Sequence, residues 1–167
     1  PVDIDALLKE LYGLERFGIK LGLDVIRELL RRLGNPQDAF PAIHVTGTNG
    51  KGSTCAFVAS ILRATGRRVG LYTSPHLVTF NERIRVDGAM ISDADVARLY
   101  EEIKPHAAAM AARNETDQPT FFETTTAMAF RYFAERRVDV AVVEVGMGGR
   151  LDATNVVNPD ACVITRI

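Results

Sequence analysis

Cysteine is scarce in these 167 residues: Cys55 and Cys162 lie far apart, with no CxxC and no Cys/His cluster around either. That argues against a disulfide scaffold or a zinc site, and both read as buried thiols of a reducing compartment. Charge of one sign is lacking too. Lys plus Arg number 20 and Asp plus Glu 21, a net charge of -1, so nothing global draws the chain to nucleic acid or to an anionic membrane. No apolar run approaches the roughly 20 residues that cross a bilayer. Repeats, low-complexity stretches and long Pro/Gly/Ser linkers are missing as well. With 47% hydrophobic and 25% charged residues, disorder and a fibrous chain are excluded. The length fits one domain able to bury a core, and a cytoplasmic α/β domain is expected. The sequence also has no initiator Met, and no polar tail follows the apolar run Ala161-Cys162-Val163-Ile164. A piece of something longer is therefore expected.

The first forty residues read as a helical lead-in. Leu7, Leu8, Leu11 and Leu14 recur at helical spacing, and Leu23, Ile26, Leu29, Leu30 and Leu33 form a second stripe. Asp24, Arg27, Glu28, Arg31 and Arg32 take the opposite face, and Gly34-Asn35-Pro36 stops the helix. From residue 41 the pattern alternates between strands and helices. Strands are expected at 42–45, 69–72, 138–145 and 161–165, and helices at 53–65, from Ser92 toward Ala112, and at 120–136. Residues 83–88 read as a small ribbon with its turn. Strands separated by helices imply a parallel sheet with right-handed crossovers, and the apolar run 140–143 implies cover on both faces. Ligands of such sheets sit at the carboxyl ends of the strands, where 46–53, 73–76 and 144–150 fall.

The first of these ends is a glycine-rich loop, Gly47-Thr48-Asn49-Gly50-Lys51-Gly52-Ser53, between a strand and a helix. Glycines let several N–H groups point at one phosphate, the helix N-terminus adds partial positive charge, and Lys51 adds a full one. Amides from Thr46 to Thr54 are expected to wrap a triphosphate, with Ser53 or Thr54 offering a hydroxyl to magnesium. The match to GxxxxGK[ST] is imperfect: Val45 stands at the first Gly, and Gly52 follows Lys51. A plain glycine turn with a solvated Lys is the competing reading.

At the second end, Ser74 precedes Pro75 and could ligate magnesium or a phosphate oxygen, or simply make a turn. At the third, Glu144 closes an apolar strand, so its carboxylate needs a cation or hydrogen-bond donors. A metal-linked role competes with an ion pair to an Arg. The following Gly146-Met147-Gly148-Gly149-Arg150-Leu151 starts like a dinucleotide fingerprint, but Leu151 replaces the third Gly, and Asn155, Asn158 and Pro159 prevent a long helix. A loop closing over substrate, with Arg150 facing an anionic group, fits better. Phe121 and Phe122 cannot both face one core, so one is free to line a cleft. Of three histidines only His76 lies at a strand end, and His44 and His106 read as structural.

Taken together, His44 to Ser53, Thr73-Ser74-Pro75-His76-Leu77, Phe122-Glu123 and Glu144 to Asn155 resemble the folylpolyglutamate synthase/dihydrofolate synthase family along nearly the whole chain. The related muramyl ligases share the GTNGK core but lack the Ser-Pro-His and Gly-Gly-Arg-Leu-Asp blocks. The resemblance implies a P-loop NTPase-like α/β fold, a parallel sheet flanked by helices, as an incomplete Mur-ligase-type central domain over 41–167. It implies an ATP- and Mg2+-dependent ligase that adds L-glutamate to a folate or dihydropteroate carboxylate through an acyl phosphate. By motif, Gly47, Thr48, Asn49, Gly50, Lys51, Gly52, Ser53 and Thr54 would bind ATP, with Lys51 on the transferring phosphate. Ser74 and Glu144 would hold the metal, and His76, Thr120, Phe121, Phe122, Glu123, Arg150 and Leu151 the pterin substrate. Small molecules are the expected partners, without nucleic acid or membrane, and the full-length protein is expected to be a monomer. Family members continue into a metal-binding His, a modified Lys and a C-terminal domain, so this chain alone is expected not to complete ligation. A P-loop NTPase or small-molecule kinase, and a non-catalytic nucleotide-binding module, are the alternatives.

Overall fold

Two short amphipathic helices open the chain in the computed structural model, which describes residues 3–18, 20 and 22–167. Asp3 caps α1 (Ile4–Tyr12) by accepting from the Ala6 amide at 3.1 Å, and the helix buries Leu7 and Leu11. A 3-10 turn over Gly13–Phe17 ends it, so Leu14 leaves the expected stripe and sits in the turn, half-buried. Helix α2 (Asp24–Arg32) buries Ile26, Leu29 and Leu30, while Glu28 pairs on its outer face with Arg31 and Arg32. Left-handed Asn35 followed by Pro36 stops it as expected. Of the lead-in over 1–40, Pro1, Val2, Ile19 and Leu21 lie outside the described residues.

The remaining elements are β1 (Ala42–Thr46), α3 (Lys51–Ala64), β2 (Val69–Tyr72), β3 (Ile84–Val86), β4 (Ala89–Met90), α4 (Asp93–Arg113), α5 (Phe121–Glu135), β5 (Val140–Glu144) and β6 (Ala161–Ile164). They form a six-stranded sheet in the order β4-β3-β2-β5-β1-β6. The strands β2, β5, β1 and β6 run parallel. The four strands expected to be parallel are so, and the sheet as a whole is mixed because the ribbon joins it. The ribbon β3–β4 pairs antiparallel with the free edge of β2, in the register Gly70↔Val86 to Tyr72↔Ile84, and so satisfies backbone groups that a parallel edge would leave open. Helix α3 starts at Lys51, ahead of its expected start at Ser53, because Gly50 at φ +82° turns the chain into it.

Each face of the sheet carries its own core. Val45, Val69, Val140 and Val142 pack against Cys55 and Ala59 of α3. On the other face Tyr72, Phe130, Phe133, Ile26, Leu99 and Ile103 join α1, α2, α4 and α5 to the sheet. Every residue of β5 is buried, as the unbroken apolar run predicts. Cys55 is buried, but Cys162 is exposed, a correction with a simple cause: β6 is the outermost strand and its outer side is uncovered. Among the described residues no helix is long and apolar enough to cross a membrane.

Candidate active site

Three neighbouring strand ends build the site. Val45 of β1 is in register with Glu144 of β5, and Tyr72 of β2 with Val143. The loop leaving β1 and the turn leaving β2 therefore flank Glu144. The loop itself is shaped by Gly47 at φ +136° and Gly50 at φ +82°, backbone that side chains rarely tolerate. Lys51 Nζ lies back across it, donating to the carbonyls of Gly47 at 2.9 Å and Thr48 at 3.4 Å.

The amides divide into two sets. Those of Thr48 and Asn49 donate to the Arg166 carbonyl at 2.9 and 3.2 Å, and that of Thr54 closes the first helical bond onto Gly50. The amides of Gly50, Lys51, Gly52 and Ser53 have no backbone acceptor among the described residues. The expected cradle thus narrows to four amides at the start of α3, where the helix dipole favours an anion. The Thr48 and Asn49 amides are spent because Thr165 and Arg166 dock on the loop: Thr165 Oγ1 reaches the Asn49 carbonyl at 2.7 Å and that of Thr46 at 3.2 Å.

Glu144 is buried, and one carboxylate oxygen accepts from the Ser74 amide at 3.0 Å. A Cβ placed on Gly52 would lie 3.7 and 3.8 Å from its two oxygens, ordinary contact distances, so the acid sits directly beside the start of α3. Burial pushes the Glu144 carboxyl above the usual range, opposed by the Ser74 amide and by the charge of Lys51. Among the described residues no ion pair involves Glu144. The alternative of a structural pair with Arg is not what is found. A hydroxyl at Ser74 and an under-compensated carboxylate at Glu144 are the oxygen donors that Mg2+ takes, so the residues fit the ion. No cluster of three His, Cys, Asp or Glu ligands forms among the described residues, so phosphate oxygens and water would have to complete the shell.

Beside this pair opens a cavity of about 600 Å3, bounded by Ser74, Pro75, Arg83, Thr120, Phe122 and the loop from Gly146 to Ala153. The structure brings Thr120, Phe122, Glu123, Arg150 and Leu151 to its wall. Phe122 is half-buried at the cavity, whereas Phe121 faces inward and stacks on Tyr12 at 5.4 Å. That is a correction for Phe121, which is not on the wall. It is also one for His76, which lies behind Arg83, with Nδ1 accepting from Arg83 Nε at 2.8 Å. Thr120 and Glu123 form a reciprocal capping box at the start of α5 (2.8 and 3.2 Å), which accounts for both side chains without a ligand.

Three residues given no site role by the sequence shape this region, and for His44 the structural reading holds. Asp152 is buried, accepts from the Met147 amide at 2.8 Å and from the Thr154 amide at 3.0 Å, and so fixes the loop's curve. His44, read as structural, supports that acid from β1 by bonding Thr154 Oγ1 at 2.8 Å. Burial lowers the His44 pKa, opposed by the nearby charge of Asp152. Arg83 is the third, and its position depends on packing among distant elements. Only the Asp152–Thr154 spacing, an acid followed at once by a short turn, carried a local signal. A second cleft of about 780 Å3, lined by Arg63, Arg67, Arg68 and Arg137, lies at the amino ends of β2 and β5, away from all of these groups.

Comparison with known proteins agrees with this arrangement. A family model described as the Mur ligase middle domain matches residues 45–167. The dihydrofolate synthase/folylpolyglutamate synthase of Bacillus subtilis is 50% identical over 158 residues, covering 94% of this chain and 36% of that protein. The crystal structure of folylpolyglutamate synthase from Thermotoga maritima superposes with a TM-score of 0.92 at 49% identity, over 98% of this chain and 38% of that one. An FPGS–AMPPCP–folate complex superposes with a TM-score of 0.88 at 39% identity, over 98% of this chain and 40% of that one. The chain spans little more than a third of the length of these relatives.

Proposed function

The chain belongs to the Mur ligase middle-domain family, and from that premise we propose that it forms the nucleotide- and pterin-binding part of an ATP-dependent ligase. The ligase joins L-glutamate to a carboxylate of folate or dihydropteroate. The observation that carries this reading is Glu144: buried without a cationic partner, held by the Ser74 amide, and set between four free amides and a half-open cavity. A nucleotide-free protein gains nothing from an acid so placed, whereas a metal-bound triphosphate would neutralise it.

In the reaction a substrate carboxylate oxygen attacks the γ-phosphorus, the bond to the bridging oxygen breaks, and ADP leaves. The amine of glutamate then attacks the acyl carbon, inorganic phosphate departs, and the amine loses a proton. This chain's share is positioning and charge. The amides of Gly50, Lys51, Gly52 and Ser53 hold the phosphates, and Lys51 swings from the Gly47 carbonyl onto the transferring group. Phe122 and the loop from Gly146 to Ala153 enclose the pterin and keep water from the acyl phosphate. Ser74 and Glu144 would hold Mg2+, which supplies charge neutralisation on the phosphate oxygens. The unpaired thiols of Cys55 and Cys162 suit the cytoplasm, and a monomer is the proposed state of the whole protein.

Product analysis tests the reading. In the protein that carries this chain, phosphate should appear only when ATP, glutamate and a pteroate or folate are all present. A kinase would instead release ADP without glutamate and leave a phosphorylated substrate, and that outcome overturns the ligase assignment.

A further inference from the structure

Arg83 is a buried cation that the protein itself does not neutralise. It ends the 3-10 turn Phe80–Arg83 and is 7% exposed, yet it takes part in no ion pair among the described residues. Its one side-chain hydrogen bond runs from Nε to His76 Nδ1 at 2.8 Å. The guanidinium lies over the ring of Phe121 at 5.1 Å, and Tyr12, stacked on that ring, meets His76 Nε2 at 3.4 Å. These rings and the histidine fix the plane of the guanidinium and leave both Nη groups without a protein acceptor among the described residues.

Four of the acids around Arg83 are committed elsewhere, and Glu15, whose charge also reaches Tyr12 and His76, forms no ion pair with Arg83 among the described residues. Glu82 is bound by the amides of Leu77, Val78 and Thr79, which hold its carboxyl at about 2. Glu123 caps α5, Asp152 takes the Met147 and Thr154 amides, and Glu144 takes that of Ser74. A buried Arg without a counter-ion is costly, and an anion from outside removes the cost. Arg83 opens onto the cavity whose wall it shares with Ser74, Pro75 and Phe122. Within that cavity a neutral ring offers no charge, whereas a carboxylate matches the planar two-donor edge of a guanidinium.

We propose that Arg83 is the carboxylate-binding residue of this cavity and that His76 is a positioning residue that sets the orientation of its guanidinium. The assignment rests on the pterin-site reading above and adds to it the group that selects an acid over its neutral analogue. Arg83 thereby holds the acid end of the substrate on the Ser74 side of the cavity, toward Glu144 and the phosphate loop.

The test is a binding cycle with pteroate and its primary carboxamide, on the wild-type chain and on Arg83→Met. The wild type should prefer pteroate by about tenfold or more, the size of a charge-assisted hydrogen bond. In Arg83→Met the preference should vanish through loss of pteroate binding alone, with carboxamide and ADP binding unchanged. Equal weakening of both ligands, or an undiminished preference, overturns the assignment and leaves the pterin site standing. Wild-type chain that binds ADP but neither pterin overturns the site and the assignment together. Should Arg83→Met fail to bind ADP, having lost its fold, Arg83→Lys decides. It keeps the charge without the fork, so pteroate affinity should fall several-fold while that of the carboxamide holds, and the opposite pattern refutes the role.

Discussion

Replacing Gly47 by Ala puts a methyl group where the phosphate loop has no room for one. The residue sits at φ +136°, and its added Cβ would overlap Thr165 Oγ1 and come within 3.1 Å of the Thr165 backbone nitrogen. That hydroxyl ties the loop to the strand after it, through the carbonyls of Asn49 and Thr46. Holding a non-glycine residue at such a backbone costs about 1–3 kcal/mol. Losing the hydroxyl bridge adds about 1 kcal/mol. For a chain of this size the sum corresponds to a melting temperature roughly 5–15 °C lower. Thermal melts followed by circular dichroism would measure it, on Gly47→Ala, Thr165→Ala and the double variant. The two single effects should not add, because Gly47→Ala already breaks the bridge that Thr165→Ala removes. A melting temperature for Gly47→Ala within about 1 °C of wild type, at most about half a kcal/mol by the same scaling, would refute the argument.

Gly146→Ala would bring a Cβ within 2.5 Å of Phe122 Cζ and 3.0 Å of an Asp152 carboxylate oxygen, so the ring must swing into the cavity. Pteroate affinity should drop by about tenfold while ADP affinity holds, at a stability cost of roughly 1–3 kcal/mol, and unchanged pteroate binding would contradict the cavity assignment. His44 supplies a pH test. Burial holds its folded pKa below the unfolded value of about 6.5, so the unfolded chain binds more protons and stability falls as pH drops through that value. Urea midpoints of wild type relative to His44→Asn should therefore decline from pH about 7 to about 5. The variant comparison cancels His76, which burial and Arg83 shift in the same direction, and a flat difference would place His44 in solvent-like surroundings.

Much of the scaffold was legible because its signals are local. The strand at 69–72, the glycine loop into a helix and the unbroken apolar run before Glu144 each rest on neighbouring residues, and the structure has all three. Capping at Ser92 is similar, since its hydroxyl accepts from the Asp95 amide at 3.1 Å. What the sequence hid depends on contacts between distant segments. The ribbon's place on the edge of β2, the docking of Thr165 and Arg166 on the phosphate loop, and the exposure of Cys162 on the last strand are set by sheet order. Arg83 is the sharpest case: its neighbours Tyr12, His76 and Phe121 come from three separate stretches of chain. In Thr120-Phe121-Phe122-Glu123 the capping residues Thr120 and Glu123 also stand on the cavity wall, and only the fold shows that Phe121 does not.

The account stands on a buried acid waiting for a metal-bound phosphate. ADP titrations of wild type and Glu144→Gln, each with and without Mg2+, test it most directly. Magnesium should tighten ADP binding to wild type by about tenfold or more, whereas Glu144→Gln should bind ADP equally with and without the ion. A Glu144→Gln protein that kept the full magnesium effect would contradict the account.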